Sequence, residues 1–212
     1  MNAVLLCGSP RGRSSNSAFL LDALEGKLAG RVEIERCQAV ARPSEKNERT
    51  AELVAACDAL AIAFPLYVDG IPASLYEVLD RIGERVRAAG ATPRLYVVAN
   101  NGFYDARQNA LAIEMLWTWG DACGLTRGRG VAVGAGEMAQ AAPMGKGPST
   151  NLGRAFDELA DGIALGRGGE TRFVEPNFPR VLYRLSAHHM WRQQAKTNGL
   201  QAADLKNTPG NA

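Results

Sequence analysis

The residues best suited to chemistry open the chain. The apolar run Ala3-Val-Leu-Leu-Cys7 stops at Gly8-Ser-Pro-Arg-Gly-Arg-Ser-Ser-Asn-Ser17 and then gives way to a helical pattern. That order reads as strand, loop, helix. Ser9, Ser14, Ser15, Asn16 and Ser17 supply hydrogen-bond donors, and the loop's glycines let backbone approach closely. The helix behind them adds unpaired N–H groups and the positive end of its dipole, so the guest these residues suit is an anion, above all a phosphate. Neither Gly-x-x-x-x-Gly-Lys-Ser/Thr nor Gly-x-Gly-x-x-Gly occurs here, which favours a mononucleotide with a terminal phosphate. The same residues also compose an ordinary turn with an N-cap.

Two more segments combine polar and aromatic groups. Pro65-Leu-Tyr-Val-Asp-Gly-Ile-Pro-Ala73 is a rigid loop with an aromatic at Tyr67, a surface for a flat ligand; its Asp69 reads either as a contact to such a ligand or as an exposed carboxylate. Asn100-Asn-Gly-Phe-Tyr104 offers amides, a glycine for close approach and two aromatics. Taken singly, each also reads as a turn or strand exit, with Tyr67 or Phe103 capping the core.

The elements between these loops determine whether they meet. Apolar periodicity and stop signals predict strands at Ala3–Cys7, Val32–Cys37, Ala59–Phe64, Arg94–Ala99 and Gly130–Val133. They predict helices at Asn16–Leu28, Thr50–Ala56, Pro72–Ala89, Ala106–Cys123 and Asn151–Leu165, with Gln38–Asn47 as polar loop. Five strands alternating with five helices imply an α/β fold, a parallel sheet covered on both faces and joined by right-handed crossovers. In its flavodoxin-like form, a three-layer sandwich with strand order 2-1-3-4-5, the loops after strands 1, 3 and 4 share one rim. Ligands bind in the crevice at such a rim.

Composition narrows the class. At 212 residues, 46% hydrophobic and 22% charged, the chain supports one sizeable core. We read residues 1–170 as one domain and residues 171–212 as an extension. A net charge of +2 without a basic run interleaved with aromatics argues against nucleic acid. No apolar stretch approaches the roughly 18 residues of a membrane span, so we expect a cytoplasmic protein without a membrane partner. Cys7, Cys37, Cys57 and Cys123 lie far apart, which suggests neither metal ligation nor disulfides. The pair His188-His189, in an apolar and aromatic segment, reads as packing or subunit contact rather than metal. The aromatic residues from Arg172 to about Leu205 need cover from the domain or from a second subunit. A loop after the fifth strand, Gly134–Ala139 and Met144–Thr150, could cover a ligand, with Lys146 meeting a nicotinamide phosphate, or could be a plain connection.

The three loops, in this order, resemble those of the flavodoxin-like NAD(P)H-dependent FMN reductases and related NAD(P)H-dependent oxidoreductases. The resemblance implies bound FMN, with Ser9, Arg11, Ser15, Asn16 and Ser17 holding its phosphate. Pro65, Leu66, Tyr67 and Val68 would line the flavin ring, and Asn100, Asn101, Gly102 and Phe103 would contact its polar edge. Related iron-sulfur flavoproteins carry a cysteine cluster between the second and third strands; Gln38–Ala56 contains no cysteine, so no cluster is expected. The function implied is transfer of hydride from NADH or NADPH through FMN to a small acceptor of quinone, azo, nitro or flavin type. A homodimer is expected, since the family often builds its sites at subunit interfaces. Two rivals share the fold: a non-catalytic flavodoxin-type electron carrier, usually strongly acidic, and a sensor or scaffold without flavin.

Overall fold

A computed structural model describes residues 1–201 and 203–204; Ala202 and residues 205–212, the end of the expected extension, lie outside the described residues. The chain divides into two compact units, residues 1–177 and residues 178–212.

The first unit is a parallel sheet with helices on both faces. Its strands are β1 (Asn2–Cys7), β2 (Glu33–Gln38), β3 (Ala59–Pro65), β4 (Arg94–Asn100), β5 (Thr126–Val133) and β6 (Arg172–Val174), in the order β2-β1-β3-β4-β5-β6. The expected order 2-1-3-4-5 is present, with one strand more than the five expected. Residues 172–174, read in sequence as the start of the extension, pair in parallel with Val131–Val133. Three residues are too few to show alternation, and their pairing is decided by the free edge of β5.

The two faces carry different residues. From β3, Leu60, Ile62 and Phe64 face one layer, while Ala59, Ala61 and Ala63 face the other. The larger side chains pack under α2 (Glu45–Ala55), α3 (Ala73–Ala89) and α4 (Ala110–Cys123). The alanines face α1 (Asn16–Leu28), whose Leu20, Leu21, Leu24 and Leu28 are fully buried beside α5 (Thr150–Ala164). Both faces of the central strands are thus dry, as their unbroken apolar sequence requires. Tyr96 buries its ring on the α1 side, and its hydroxyl donates to the carbonyls of Gly162 and Arg167 at 2.7 and 3.0 Å.

Three boundaries differ from expectation. Helix α2 starts at Glu45 rather than Thr50, because the Ser44 side chain accepts from the Asn47 N–H and caps a polar first turn. Strand β5 starts at Thr126 rather than Gly130, its charged Arg127 and Arg129 masking the apolar pattern, with a register shift opposite Leu95 and Val97. Helix α4 is preceded by a tight 3₁₀ turn at Ala106–Asn109, where sequence suggests continuous helix.

All parallel strands end on one rim, and hydrogen bonds extend beyond them: Gly8 N–H to Ala63 O, Leu66 N–H to Asn100 O, Asn101 N–H to Val133 O and Gly134 N–H to Val174 O. Gly134 is confined there. A Cβ on it would lie 2.2 Å from Tyr104 O and 2.8 Å from Ala106 N, both backbone atoms that cannot turn aside. Gly134→Ala is therefore expected to cost about 3 kcal/mol and to lower Tm by roughly 6–12 °C in a chain of this size. Thermal unfolding followed by circular dichroism measures it, and a change within 2 °C contradicts the packing described.

The second unit contains α6 (Arg180–Thr197). His188 stacks edge-on against Trp191 with centroids 6.0 Å apart, and His189 lies 3.4 Å from Gln193. Among the described residues, no group of three or more His, Cys, Asp or Glu is arranged to hold a metal ion. No described helix is long and apolar enough to cross a membrane.

Candidate functional site

The loop after β1 folds back on itself before α1 begins. Gly12 N–H donates to Ser9 O, Gln38 Nε2 donates to the same carbonyl at 2.9 Å, and Ser14 Oγ donates to Arg11 O at 3.0 Å. Ser74 Oγ, from the first turn of α3, donates to Gly8 O at 3.1 Å. Ser15 is the N-cap of α1: its Oγ accepts from Ala18 N–H at 3.1 Å and donates to Gly12 O at 2.6 Å. The hydroxyls of Ser14 and Ser15 are thus engaged within the loop, and Ser9 is fully buried.

What remains open are cations and amides. Arg11 and Arg13 are exposed, and neither guanidinium has an ion-pair or hydrogen-bond partner among the described residues. The first N–H groups of α1 have no intrahelical carbonyl to reach, and the helix dipole is positive at this end. Asn16, half-buried, is its first residue. Two unpaired cations over a helix start form a surface complementary to an anion.

The loop after β3 forms a tight two-residue hairpin. Tyr67 and Gly70 exchange both backbone hydrogen bonds at 3.1 and 3.0 Å, leaving Val68 and Asp69 at the tip with φ of +48° and +59°. This left-handed region is costly for a β-branched residue, on the order of 1–2 kcal/mol. Pro65 is buried at the end of β3 and Leu66 is half-buried, whereas Tyr67 and Val68 stand exposed, Val68 completely. Asp69 is exposed as well.

After β4 the residues divide by role. Asn100, only 3% exposed, sends its Nδ2 to Ser17 Oγ at 2.8 Å and to Phe64 O at 2.9 Å. One carboxamide therefore ties the first turn of α1 to the ends of β3 and β4. Asn101, also buried, shapes its own turn: Oδ1 accepts from Phe103 N–H at 2.9 Å and Nδ2 donates to Asp105 O at 3.1 Å. Gly102 is exposed, and Phe103 projects at the rim 63% exposed. Tyr67, Val68 and Phe103 thus leave apolar surface uncovered where the loops converge.

The loop after β5 joins this rim. Ala135 N–H donates to Phe103 O at 2.5 Å and Gly136 N–H to Asn101 O at 2.7 Å, and a 3₁₀ turn follows at Gly136–Gln140. From its end, Gln140 Nε2 donates to Asn16 Oδ1 at 2.6 Å. Sequence reasoning missed Gln140, because an amide in a small-residue loop has no local signature. Lys146, lower in the same loop, is exposed.

Three of the four thiols are shielded, and the fourth, Cys7, lies buried at the end of β1 with its Sγ 3.8 Å from Ser15 Oγ. Burial pushes the Cys57 thiol up to about 12 and raises those of Cys37 and Cys123 as well, so all three stay protonated near neutrality. The site presents exposed cations, an apolar platform and backbone amides.

Residues 1–103 match the model of a family described as NADPH-dependent FMN reductase. The match ends at Phe103 and so takes in most of the rim just described. It bears out the resemblance drawn from the three loops and the class of NAD(P)H-dependent flavin oxidoreductase. No curated protein matches the chain. The chain is similar in structure to an NADH:FMN oxidoreductase in its apo form, at 16% identity and TM-score 0.61, covering 84% of this chain and 96% of that one. It is also similar to an NADPH-quinone reductase from P. pentosaceus, at 16% identity and TM-score 0.57, over 76% of this chain and 98% of the other. A flavodoxin from Streptococcus pneumoniae TIGR4 matches at 15% identity and TM-score 0.55, over 78% and 99%. At these identities the likenesses show the fold.

The Asn100 strut has a measurable energy. Asn100→Ala leaves Ser17 Oγ and Phe64 O without their shared donor in a dry site, at an expected cost of about 2–4 kcal/mol. Ser17→Ala in that background is expected to cost less than it does alone, and urea denaturation of the four proteins measures the coupling. Strict additivity would show that the two side chains do not hold each other.

Proposed function

We propose, from the FMN reductase match over residues 1–103 and the geometry of the rim, that the chain is an FMN-dependent oxidoreductase passing electrons from NADH or NADPH to a small acceptor. The observation that carries this reading is that the start of α1, with Arg11, Arg13 and the Asn16 amide unpaired among the described residues, shares one rim of the sheet with the exposed apolar residues Tyr67, Val68 and Phe103. An anion at one end and a flat ring at the other describe a flavin mononucleotide.

The residues fit that group by chemistry. Arg11, Asn16 and the first amides of α1 would meet the phosphate, while Ser9, Ser15 and Ser17 keep the loop in the shape that presents them. Tyr67 and Val68, with Pro65 and Leu66 behind them, would lie along the ring, and the segment from Asn100 to Phe103 would border its polar edge. When bound, FMN supplies the two-electron redox chemistry that protein side chains lack. The protein's own work is to hold the ring against the hairpin and leave one face open for the nicotinamide and then the acceptor.

Away from the arginines and Asn16, mostly apolar groups line the exposed part of the rim, and the amides of Asn100 and Asn101 are turned into the frame. Such a surface discriminates acceptors by shape rather than by hydrogen bonds, and discrimination of that kind is weak. We therefore assign the acceptor by class, as quinone, azo, nitro or flavin, without iron-sulfur chemistry. The net charge of +2 favours an enzyme over a strongly acidic electron carrier. In this reading the protein is a cytoplasmic homodimer, in which residues 171–212 bury their apolar surface, with Val181, Leu185 and Trp191 meeting a second copy.

The purified protein is expected to be yellow, or to become so with added FMN, and to bleach on anaerobic addition of NADH or NADPH. A colourless protein that ignores FMN overturns the flavin assignment, whereas a yellow protein reduced by neither nicotinamide is a carrier.

Arg11→Ala separates the phosphate end from the ring end. Because Arg11 makes no side-chain bond within the described residues, the fold is expected to be unchanged. FMN affinity should fall about 5- to 20-fold, less than the full worth of a charge-assisted bond because Arg11 is exposed and screened, while riboflavin, which lacks the phosphate, binds as before. Fluorescence titration with both flavins reads the difference. Equal loss for both would place Arg11 elsewhere than at the phosphate.

A further inference from the structure

The carboxamide of Asn16 has two ends of nearly equal size and opposite chemistry. Only the Nδ2 end can donate to an anion, and the Oδ1 end repels one. On a half-exposed side chain at a helix start, nothing in α1 itself selects between them. In the structure Gln140 Nε2 donates to Asn16 Oδ1 at 2.6 Å, and Asn16 Nδ2 has no hydrogen-bond partner among the described residues. The oxygen is occupied, and the amide left for a ligand is the donor.

The backbone that carries Gln140 is anchored beside α1. Its 3₁₀ turn is anchored at the start by Ala135 N–H on Phe103 O and Gly136 N–H on Asn101 O, and further along by the buried Ala139 packed in the α1 layer. Ala135 adopts a φ of +49°, and Gly136 lies so close to Asn100 and Asn101 that a Cβ on it would come within 3.2 Å of each. The loop after β5 therefore spans from the loop after β4, at the ring end of the rim, to the first residue of α1, at its anion end.

Resting on the FMN reading above, we propose that Gln140 is a positioning residue for the phosphate site: it orients the Asn16 carboxamide with Nδ2 toward the phosphate, and so contributes to FMN affinity without touching the ligand. Three consequences separate this role from others. Losing the Gln140 donor weakens FMN and leaves riboflavin unaffected. The effect disappears once Asn16 has lost its amide. The fold is unmoved, since Gln140 is exposed.

The test uses the full-length chain stripped of flavin and titrated with FMN and with riboflavin, as wild type, Gln140→Leu, Asn16→Ala and the double variant. Gln140→Leu keeps the bulk without charge or donor. It is expected to weaken FMN about 5-fold, the worth of one hydrogen bond, with riboflavin binding within 1.5-fold (an order-of-magnitude allowance) and Tm unchanged. In the Asn16→Ala background the same substitution is expected to change FMN affinity by less than about 1.5-fold. An unaltered FMN affinity in Gln140→Leu overturns the proposal. So does an equal loss for riboflavin, which assigns Gln140 to the shape of the whole site, or a full loss persisting without Asn16, which assigns it a contact of its own. A wild-type protein that binds FMN no better than riboflavin refutes the phosphate site itself, and is recognised before any variant is made.

Discussion

A single buried carboxamide holds the rim together. Asn100 lies where β4 ends, between the start of α1 and the end of β3, and its Nδ2 serves Ser17 Oγ and Phe64 O at once. Every parallel α/β sheet must solve the problem this bond solves: strands end with unpaired backbone groups just where loops diverge, and burial there is expensive unless each group finds a partner. Here Leu66 N–H takes Asn100 O, Asn101 N–H takes Val133 O, and the side chain of Asn100 takes the carbonyl of Phe64. The crevice is therefore a continuation of the sheet rather than a set of independent loops. That rigidity is what lets the start of α1 and the apolar platform keep a fixed separation.

The polar residues at this edge mostly serve the frame. Ser9, Ser15, Ser17, Asn100 and Asn101 are buried or engaged with backbone, and the groups left over are guanidinium groups, helix amides, the Asn16 Nδ2, the Asp69 carboxylate and aromatic or aliphatic side chains. A ligand thus meets charge at one end and apolar surface at the other. The division has an energetic logic. Buried hydroxyls and amides with partners cost little and fix geometry, whereas exposed arginines without an ion-pair partner among the described residues keep their donors for a ligand.

Much of this was legible in sequence, for reasons that differ by element. The central strands were readable because burial on both faces leaves an unbroken apolar run, as in Ala59-Leu-Ala-Ile-Ala-Phe64; their parallel pairing followed from the alternation with helices, and their order from the flavodoxin-like form of such a sheet. The three loops were readable because glycine, proline and aromatics in one short segment are rarely needed by a turn alone. Strand β6 was not, since Arg172-Phe-Val174 has no periodicity of its own and is made a strand by the edge of β5. The start of α2 was hidden because its first turn, Glu45-Lys-Asn-Glu48, is polar and rests on the Ser44 cap rather than on apolar spacing. Sequence could nominate Ser17 and Asn100 as polar groups near a ligand. It could not show that they bond to each other, because that depends on how far α1 approaches β4, which the small alanines of β3 permit.

The hairpin after β3 shows how the fold handles strain. A type I′ tip wants asparagine and glycine, yet this one places Val68 and Asp69 in the left-handed region, with the Val68 side chain fully in solvent. Nothing in the first unit rewards that exposure. The conformation is imposed from both sides: Tyr67 and Gly70 close the ladder, and Pro65 and Pro72 stiffen its entry and exit. A residue with cheaper left-handed geometry would relieve the cost but would remove a branched apolar surface from the edge of the platform. Strain at a ligand-facing tip persists when the surrounding structure over-determines it. With its backbone already fixed, the hairpin has little conformational entropy left to lose, so on the proposed reading the cost of ordering it against a planar ring is met in folding rather than in binding.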